Sequence, residues 1–243
     1  MARVIAIMNQ QQGVGKSTIT LNLGDALSQL DQTVMLIDMV PGAELTRQFF
    51  EPVDQGIAQC LLEKNSLDES SHTVADNITL VPANKTLAQF QKKRGIALQQ
   101  GHRLERLITA AEQQIILIDS PSKPGLLMLN SLFAADEIII PVRANYVSLQ
   151  GLVKIVALFK RLKRITQGAK LWIVINGYDA TVASQVDIFR AIQTTFPGRV
   201  LRTALHYHPQ LNNGLQSVFT SSITPLTGHY LSLAKDVLNG TVY

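Results

Sequence analysis

A short loop near the start of the chain is the feature that most limits how the chain can fold. The apolar segment Val4–Met8 leads into this loop, and an amphipathic segment, Lys16–Leu30, follows it. Glycines let backbone N–H groups turn inward around phosphate oxygens, and a helix that starts there adds the positive end of its dipole. A buried strand, such a loop and a helix in this order predict a phosphate-binding loop. The loop reads Gly13-Val14-Gly15-Lys16-Ser17-Thr18.

Two residue types in the loop indicate the chemistry that it can support. The Lys16 ammonium can reach the β and γ phosphates of a nucleotide, and the Ser17 hydroxyl can hold Mg²⁺. The general P-loop pattern has a glycine five residues before Gly15, where this chain has Gln10. A dinucleotide-binding fingerprint is excluded, because Lys16, Ser17 and Thr18 follow Gly15 where that fingerprint needs x-x-Gly.

Two other hydrophobic segments end in an aspartate. Asp38 follows Val34–Ile37, and Asp119 follows Ile115–Ile118. Ligands of parallel sheets lie beyond the carboxyl ends of the strands, so both carboxylates should face the loop. One such aspartate alone could equally cap a turn, but two beside the loop favour a function. We expect Asp119 to hold Mg²⁺, through water, and Asp38 to act on the Mg²⁺ shell or on the attacking water. Lys16, Asp38 and Asp119 are the predicted catalytic residues, with ATP and Mg²⁺ as cofactors.

Strand-like apolar segments alternate with amphipathic helical segments along the chain. The strand-like segments are rich in Ile, Val and Leu without strict alternation, which is typical of a sheet covered on both faces. This order predicts a three-layer α/β fold, with a mainly parallel twisted sheet, helices on both faces, and one domain over residues 1–243. The predicted strands are Val4–Met8, Thr33–Ile37, Ile78–Val81, Ile115–Ile118, Glu137–Val142, Leu171–Ile175 and Val200–Leu205. The predicted helices are Lys16–Leu30, Leu87–Lys93, Arg103–Glu112, Leu126–Ala134, Leu149–Arg164, Ser184–Thr195, Pro209–Val218 and Tyr230–Leu238.

Composition narrows the class of protein. No apolar run reaches the roughly 20 residues of a membrane helix, and the apolar start of the chain is too short for a signal peptide. Cys60 is the only cysteine, which excludes a disulfide or a paired-thiol metal site within one chain. We expect Cys60 to be buried, in a protein of the reducing cytoplasm. The net charge of +4 allows attraction to nucleic acid without requiring it.

Three parts of the sequence together resemble the ParA/MinD group, the deviant Walker-A ATPases. The first is Gln11–Thr18, against a family pattern of Lys-Gly-Gly-x-Gly-Lys-Thr/Ser-Thr. The second is Leu36–Gly42, against an Asp-x-Asp-Pro pattern. The third is Ile116–Ser122, continued by Asp136–Val142 and by Tyr146–Leu152, where the similarity is to ParA. These parts occur in the family's order, and the resemblance covers nearly the whole chain.

This resemblance implies a P-loop ATP hydrolase that is slow or stimulated by a partner. It implies an ATP-dependent homodimer with nucleotide between the subunits, non-specific DNA binding, and a ParB-like or McdB-like stimulating protein. A cargo, a carboxysome or a plasmid, would be positioned or segregated over the nucleoid by a cytoplasmic, nucleoid-associated protein. Adenine contacts are expected from Asn176 and from the segment around Pro209. The phosphate contacts are expected from Gln11, Gln12, Gly13, Val14, Gly15, Lys16, Ser17 and Thr18.

The chain departs from the family pattern at three positions. Gln11 stands where the family's signature lysine reaches the other subunit's phosphates, and it has no charge to offer. Gln12 replaces a glycine, so the loop is less permissive. Val40 replaces the second aspartate of Asp-x-Asp, which the family uses in hydrolysis. Either activity is lost or other residues substitute. The first departure resembles the McdA subset, which lacks the signature lysine and positions carboxysomes, and a divergent plasmid partition protein is the other interpretation.

Two lysines are candidates for the missing signature lysine. Lys123 follows Asp119 by four positions in a switch-like loop. Lys154 lies on the predicted helix Leu149–Arg164, which in this family is near the dimer face. Each lysine taken alone could equally be a solvated surface residue.

Basic residues in the second half of the chain are candidates for DNA binding. Lysine and arginine that neutralise phosphates give salt-sensitive, sequence-independent binding, and the resemblance favours this over a solvated helix face. Membrane attachment of the MinD kind is not expected, because Tyr230–Tyr243 contains a single lysine beside a single aspartate. The DNA-binding candidates are Lys160, Arg161, Lys163, Arg164, Lys170, Arg190, Arg199 and Arg202.

Three functions are therefore compatible with the sequence. The first is a positioning ATPase switched by nucleotide. The second is a non-hydrolysing ParA-like scaffold, which Gln11 and Val40 favour. The third is a metabolic P-loop enzyme of related fold, such as a synthetase or a kinase.

Overall fold

A mainly parallel sheet organises the part of the chain that the computed structural model describes, residues 2–92, 98–162, 168–209, 211, 215–220 and 224–243. Its strands are β1 (Arg3–Ile7), β2 (Val34–Asp38), β3 (His72–Ala75), β4 (Ile78–Val81), β5 (Ile115–Asp119), β6 (Glu137–Val142), β7 (Lys170–Tyr178) and β8 (Leu205–His206). Their order across the sheet is β3-β4-β2-β5-β1-β6-β7-β8. Only the edge pair β3–β4 is antiparallel among these strands.

Helices cover both faces of this sheet. Within the described residues they are α1 (Lys16–Ser28), α2 (Ile57–Leu61), α3 (Leu87–Lys92), α4 (Leu98–Gly101), α5 (Arg103–Ile108), α6 (Leu126–Ala134), α7 (Tyr146–Leu162), α8 (Ala183–Thr195) and α9 (Thr224–Asn239). Short 3₁₀ turns lie at Thr46–Gln48 and Asp68–Ser70. The mainly parallel α/β fold predicted from the sequence is confirmed.

The two faces of the sheet bury separate hydrophobic clusters. Along β1, Ala6 packs in the cluster with α2, α3 and α5 to α8, whereas Ile5 and Ile7 pack in the cluster with α1 and α9. Successive side chains of a strand point to opposite faces, so a sheet that is covered twice needs apolar residues at every position. This is why the central strands read as continuous apolar runs.

Elements at the margins of the sheet differ from the prediction. The strand predicted at Val200–Leu205 consists of single bridges at Val200 and Leu201, and β8 begins only at Leu205. The helix predicted at Pro209–Val218 is wrong, since the described residues of this span form no α-helix. The Leu211 N–H donates to His208 O at 3.1 Å in a 3₁₀-type turn, and the Val218 N–H donates to the Asn22 side chain of α1 at 2.7 Å, so a tertiary contact takes the place of a helical bond at Val218.

Two further observations bear on the expectations from composition. No helix among the described residues is both long enough and apolar enough to cross a membrane. Cys60 is fully buried in α2, where its thiol donates to Ser66 O at 3.2 Å, and burial raises the pKa of the thiol.

The sheet register fixes what lies at each end of the central strands. At the carboxyl end, Asp38 of β2 and Asp119 of β5 are directly paired neighbours. At the amino end, Glu137 of β6 receives Arg3 Nε at 2.7 Å and Arg3 Nη2 at 2.9 Å, and also the Trp172 indole N–H. The two ends of one sheet thus carry two different groups of buried carboxylates.

Candidate functional site

The loop between β1 and α1 is shaped by two glycines in the left-handed region. Gly13 has φ +71° and Gly15 has φ +90°, and Gly15 is the N-cap residue directly before α1. A Cβ on Gly15 would lie 2.3 Å from Asn176 Nδ2, which donates to Val14 O at 2.8 Å. Only glycine allows both this backbone angle and this close approach. The loop is thereby closed tightly against the end of β7.

A cavity of 770 Å³ opens over the carboxyl ends of the strands. Segments that follow β1, β2, β5, β6, β7 and β8 all contribute to it, as expected for a ligand site of a parallel sheet. The residues around it include Gln12, Gly13, Gly15, Lys16, Ser17 and Thr18 of the loop, Val40 and Glu44 after β2, Ser120, Ser122 and Lys123 after β5, and Arg143, Asn176, His206, Tyr207 and His208.

Lys16 is buried at the floor of this cavity and contacts the loop after β5. Its Nζ donates to Ser122 Oγ at 2.7 Å and to Gln11 O at 3.3 Å. Burial lowers the pKa of Lys16, which the nearby carboxylates of Asp119 and Glu44 partly oppose. The ammonium group is therefore held by weak neutral acceptors, in a position where phosphate oxygens would be stronger ones.

Asp119 is a buried carboxylate with no hydrogen bond of normal geometry among the described residues, although the Ser17 hydroxyl is close enough to lower its pKa. It is 0% exposed. Burial and the adjacent Asp38 raise its pKa well above the usual range, by more than Ser17 and Lys16 lower it. Buried polar atoms normally have partners. A carboxylate of this kind beside the Ser17 hydroxyl fits a hard divalent cation, which prefers oxygen ligands.

Asp38 differs from Asp119 in that its oxygens are occupied. Oδ1 accepts the Val40 N–H at 2.9 Å, and Oδ2 accepts the Thr46 N–H at 3.0 Å and the Thr46 hydroxyl at 2.7 Å. Burial raises its pKa to about 6, although these hydrogen bonds lower it. Asp38 therefore fixes the loop after β2 on one wall of the cavity, and its part in the Mg²⁺ shell stays a prediction.

The cavity brings together most, but not all, of the predicted nucleotide-binding residues. Gln11 turns away and accepts the Ser148 hydroxyl at 3.1 Å through Oε1. The Val14 side chain is buried in the protein. Pro209 is exposed and does not line the cavity, although His208 before it and Leu211 after it do. An adenine contact from Pro209 stays a prediction.

The two candidate substitutes for the signature lysine lie in different places. Lys123 is exposed and lines the cavity. Lys154 is exposed on α7 and is not among the lining residues. Their proposed roles stay predictions, and of the two lysines Lys123 is the one that lines the cavity.

Only half of the DNA-binding candidates can be located by their side chains. Lys170, Arg190, Arg199 and Arg202 are exposed. The backbone of Lys160 and Arg161 belongs to α7, but their side chains lie outside the described part of the structure. Lys163 and Arg164 lie outside the described residues entirely.

Two cavity residues were missed by the sequence analysis. Glu44 is an exposed carboxylate on the loop after β2. Arg143 follows directly after β6, and its Nε and Nη2 donate to Gly13 O at 3.3 and 3.1 Å. The strand-end rule that located Asp38 and Asp119 would also have located Arg143, since all three lie at the carboxyl ends of strands.

Comparison with known proteins identifies relatives over the full length of the chain. A family model, AAA_31, described as an AAA domain, matches residues 2–171. The sporulation initiation inhibitor protein Soj of Bacillus subtilis is 28% identical over 254 aligned positions, covering 98% of each chain.

Solved structures with similar folds include proteins of several functions. A cobyrinic acid a,c-diamide synthase from Mycobacterium smegmatis with ADP and magnesium has a TM-score of 0.84 at 23% identity, covering 98% of this chain and 95% of the synthase. A plasmid partition protein from Borrelia burgdorferi with AMPPNP has 0.84 at 21%, covering 98% and 99%. A Cyanothece McdA variant with ATP has 0.84 at 18%, covering 100% and 98%.

At these identities the solved structures establish the fold alone. The family model and the Soj relative are also similar to this chain in amino-acid sequence. The match covers the phosphate-binding loop, both strand-end aspartates and β6. On these grounds the chain belongs to the ParA/MinD-type family of P-loop ATPases.

Proposed function

We propose that this chain is a nucleotide-switched positioning ATPase of the ParA type. It binds ATP with Mg²⁺, dimerises in the ATP state, binds DNA without sequence preference, and positions or segregates a cargo over the nucleoid. The observation that carries the proposal is the unpartnered, buried Asp119 beneath a glycine-shaped loop. A carboxylate left without partners is costly to stability, so its retention is best explained by a ligand that satisfies it.

Mg²⁺ would be held by the Ser17 hydroxyl and, directly or through water, by Asp119. When bound, the ion neutralises charge on the phosphate oxygens. Lys16 would exchange its bond to Ser122 for a phosphate oxygen, a stronger acceptor for an ammonium group. This exchange frees the loop after β5, which also carries Lys123. Release of Ser122 thus offers a route by which nucleotide changes a surface beside the cavity.

Hydrolysis needs a group that orients the attacking water. Asp38 is occupied by the loop after β2, and Val40 has no carboxylate to offer. Glu44 lies on the same loop, exposed and on the cavity wall. We assign Glu44 the role of the carboxylate that Val40 lacks, with Asp38 keeping the loop in shape.

The charge that Gln11 lacks would come from a lysine of either subunit. Lys123 is favoured by its place on the cavity wall, and Lys154 by its exposed position on α7. An ATPase and dimerisation assay on Lys123→Ala and Lys154→Ala tests both. Unchanged rates and unchanged dimerisation in both variants would remove the two lysines from consideration.

Sedimentation with ADP and with a non-hydrolysable ATP analogue, both with Mg²⁺, tests the nucleotide switch. A dimer is expected only with the ATP analogue, and Lys16→Ala should remain a monomer in both. A protein that binds neither nucleotide would disprove the proposal. Failure to dimerise despite tight binding would favour a metabolic enzyme of the same fold.

Phosphate release measured with Mg-ATP, with and without non-specific DNA, tests the two remaining steps. Hydrolysis is expected to be slow, and DNA binding should weaken as salt rises. A second candidate is a scaffold that binds nucleotide without hydrolysing it, which the occupied Asp38 and the apolar Val40 favour. Tight binding and dimerisation with no phosphate release would select that candidate.

The cargo and the stimulating protein, ParB-like or McdB-like, are proposed by family resemblance. Partition genes beside this one would indicate a plasmid or chromosome, and carboxysome shell genes would indicate a carboxysome. Addition of the neighbouring gene's product to the phosphate-release assay should then raise the rate.

A further inference from the structure

The end of β6 and the segment that follows it contact the phosphate-binding loop. The buried Asn9 side chain donates to Pro141 O at 2.7 Å, just before the loop turns. Further along, the Ser148 hydroxyl donates to Gln11 Oε1 at 3.1 Å. Ser148 is only 1% exposed, so this contact is made inside the protein. The first half of the loop is thus attached to one segment at both ends.

Arg143 lies between Pro141 and Ser148 in the chain, and it contacts the loop two residues beyond Gln11. Its Nε and Nη2 both donate to Gly13 O, at 3.3 and 3.1 Å, so two arms of a rigid fork converge on one carbonyl. Gly13 has φ +71°, and a Cβ added there would meet nothing within 4 Å. Packing therefore leaves space around Gly13, and the guanidinium is the group seen to hold its carbonyl.

The direction of this carbonyl determines the direction of the next amide. No peptide bond among the described residues is cis, and in a trans peptide the C=O and the following N–H point opposite ways. A fixed Gly13 carbonyl therefore fixes the Val14 N–H. Phosphate oxygens attract N–H groups and repel carbonyl oxygens, so a loop free to flip this peptide would bind phosphate less well.

The charge of Arg143 adds to its geometry. The side chain is exposed on the cavity wall, and it forms no ion pair within the described residues. Its Nη1 lies beside Gly177, where an added Cβ would be 3.6 Å away. Gln11, on the same loop, has no charge.

We propose that Arg143 is a positioning residue of the nucleotide site, which holds the Gly13–Val14 peptide in the orientation that receives phosphate. It acts within its own subunit, and it acts on nucleoside diphosphates and triphosphates alike, because the loop must be shaped before either binds. The inference rests on the proposed nucleotide binding and names a residue that this binding requires.

Titration of Arg143→Ala and Arg143→Lys with fluorescent ADP and with a fluorescent non-hydrolysable ATP analogue, both with Mg²⁺, tests this role. Arg143→Ala should weaken binding of both nucleotides about tenfold, the effect of a hydrogen bond to a charged group. Arg143→Lys keeps the charge and one donor, so it should recover part of the loss. The unfolding temperature of the nucleotide-free protein should be unchanged in both variants, since the side chain is exposed.

Arg106→Ala is the matched control. Arg106 is an exposed arginine of α5 with a 3.8 Å ion pair to Glu63, and it does not line the cavity over the phosphate-binding loop. Its affinities should equal those of the wild type. Equal affinities in Arg143→Ala would overturn the inference, and so would a loss confined to the ATP analogue or a matching fall in unfolding temperature. A wild-type protein that binds neither nucleotide would refute the proposed function itself, whereas wild-type binding with an unaffected Arg143→Ala refutes this inference alone.

Discussion

The two ends of the central strands bury acidic side chains under opposite conditions. At the amino end, Glu137 is 5% exposed and receives the Arg3 guanidinium and the Trp172 N–H. At the carboxyl end, Asp119 is 0% exposed and receives no hydrogen bond of normal geometry from the described residues. Arg3 and Trp172 overcome the effect of burial and lower the pKa of Glu137, whereas burial and Asp38 raise the pKa of Asp119.

This difference separates Glu137, which stabilises the fold, from Asp119, which we propose binds Mg²⁺. Both groups lose water on folding, which disfavours their charged forms. Glu137 recovers the loss from partners inside the same chain. Asp119 has no such partners. The ligand-free protein should therefore be less stable than one with a neutral side chain at this position. The comparison therefore predicts changes of opposite sign when each charge is removed.

Asp119→Asn is the change with the largest expected effect. Hydrolysis of Mg-ATP should fall about a hundredfold or more, as expected when a group that holds the metal is lost. The nucleotide-free protein should nevertheless unfold at a temperature higher by a few degrees, because asparagine is neutral at every pH, whereas burial disfavours the ionised form of Asp119. Phosphate release and thermal unfolding measure the two effects. A variant that is both inactive and less stable would break the comparison.

Glu137→Gln is the matched change at the amino end. It should lower the free energy of unfolding by about 2 kcal/mol, because the Arg3 guanidinium loses its charged partner. Nucleotide affinity should equal that of the wild type, since Glu137 lies at the opposite end of the sheet from the cavity. Denaturant unfolding and nucleotide titration provide the measurements. An unchanged free energy of unfolding would mean that the contact between Arg3 and Glu137 does not stabilise the fold.

Glu44→Gln tests whether a carboxylate at the carboxyl end of the sheet takes part in hydrolysis. If Glu44 orients the attacking water, hydrolysis should fall about tenfold, a typical lower bound for a group that assists proton transfer. Affinity for the ATP analogue should change little. Glu51→Gln is the control, because Glu51 is exposed and is not among the residues that line the cavity. A parallel loss in the control, or no loss in either variant, would exclude Glu44 from the reaction.

The pH dependence of stability should also differ between the two ends. The pKa of Asp38 is raised from 3.8 to about 6 in the folded protein, so the folded state binds more protons between these values. Stability from the aspartate pair therefore falls as pH rises from about 4 to about 6. The pKa of Glu137 is lowered, so its contribution is lost only as pH falls below the unfolded value of 4.5.

Acidification from pH 7.5 to pH 5 should thus reduce the destabilisation caused by the aspartate pair at the carboxyl end. The stabilisation by Glu137 at the amino end should not change. The stability advantage of Asp119→Asn over the wild type should shrink over this interval, because the raised pKa of Asp119 lets the folded wild-type protein hold a proton that asparagine does not need. Unfolding of both proteins in denaturant at the two pH values measures it. An advantage that is equal at both pH values would show that the pair holds no extra proton.

The centre of the sheet could be predicted because its residues show their environment locally. β4 and β6 have the predicted bounds, and so does α6. β3 was missed, since His72–Ala75 is largely exposed and pairs only with its neighbour through a turn at Asn77, which has φ +59°. β8 is two residues long and depends on β7 for its existence, so no local pattern marks it.

The candidate site also has features that the sequence predicts and features that it does not. The strand-end rule predicted that Asp38 and Asp119 lie at the carboxyl ends of their strands, and the register of the sheet pairs them there as direct neighbours. The bonds of Arg143 to Gly13 and of Lys16 to Ser122 join residues that are 130 and 106 positions apart. Contacts of this separation are set by the order of strands in the sheet. A pattern of neighbouring residues in the sequence therefore does not predict these contacts.

The burial of Cys60 has a practical consequence. The chain has no other thiol, and this one is enclosed in α2 with a raised pKa, so it should react slowly with maleimides. A cysteine introduced at an exposed position such as Tyr146, at the start of α7, would then be the sole fast-reacting group. A dye attached there would test the proposed dimerisation in real time, without any need to remove the native residue first.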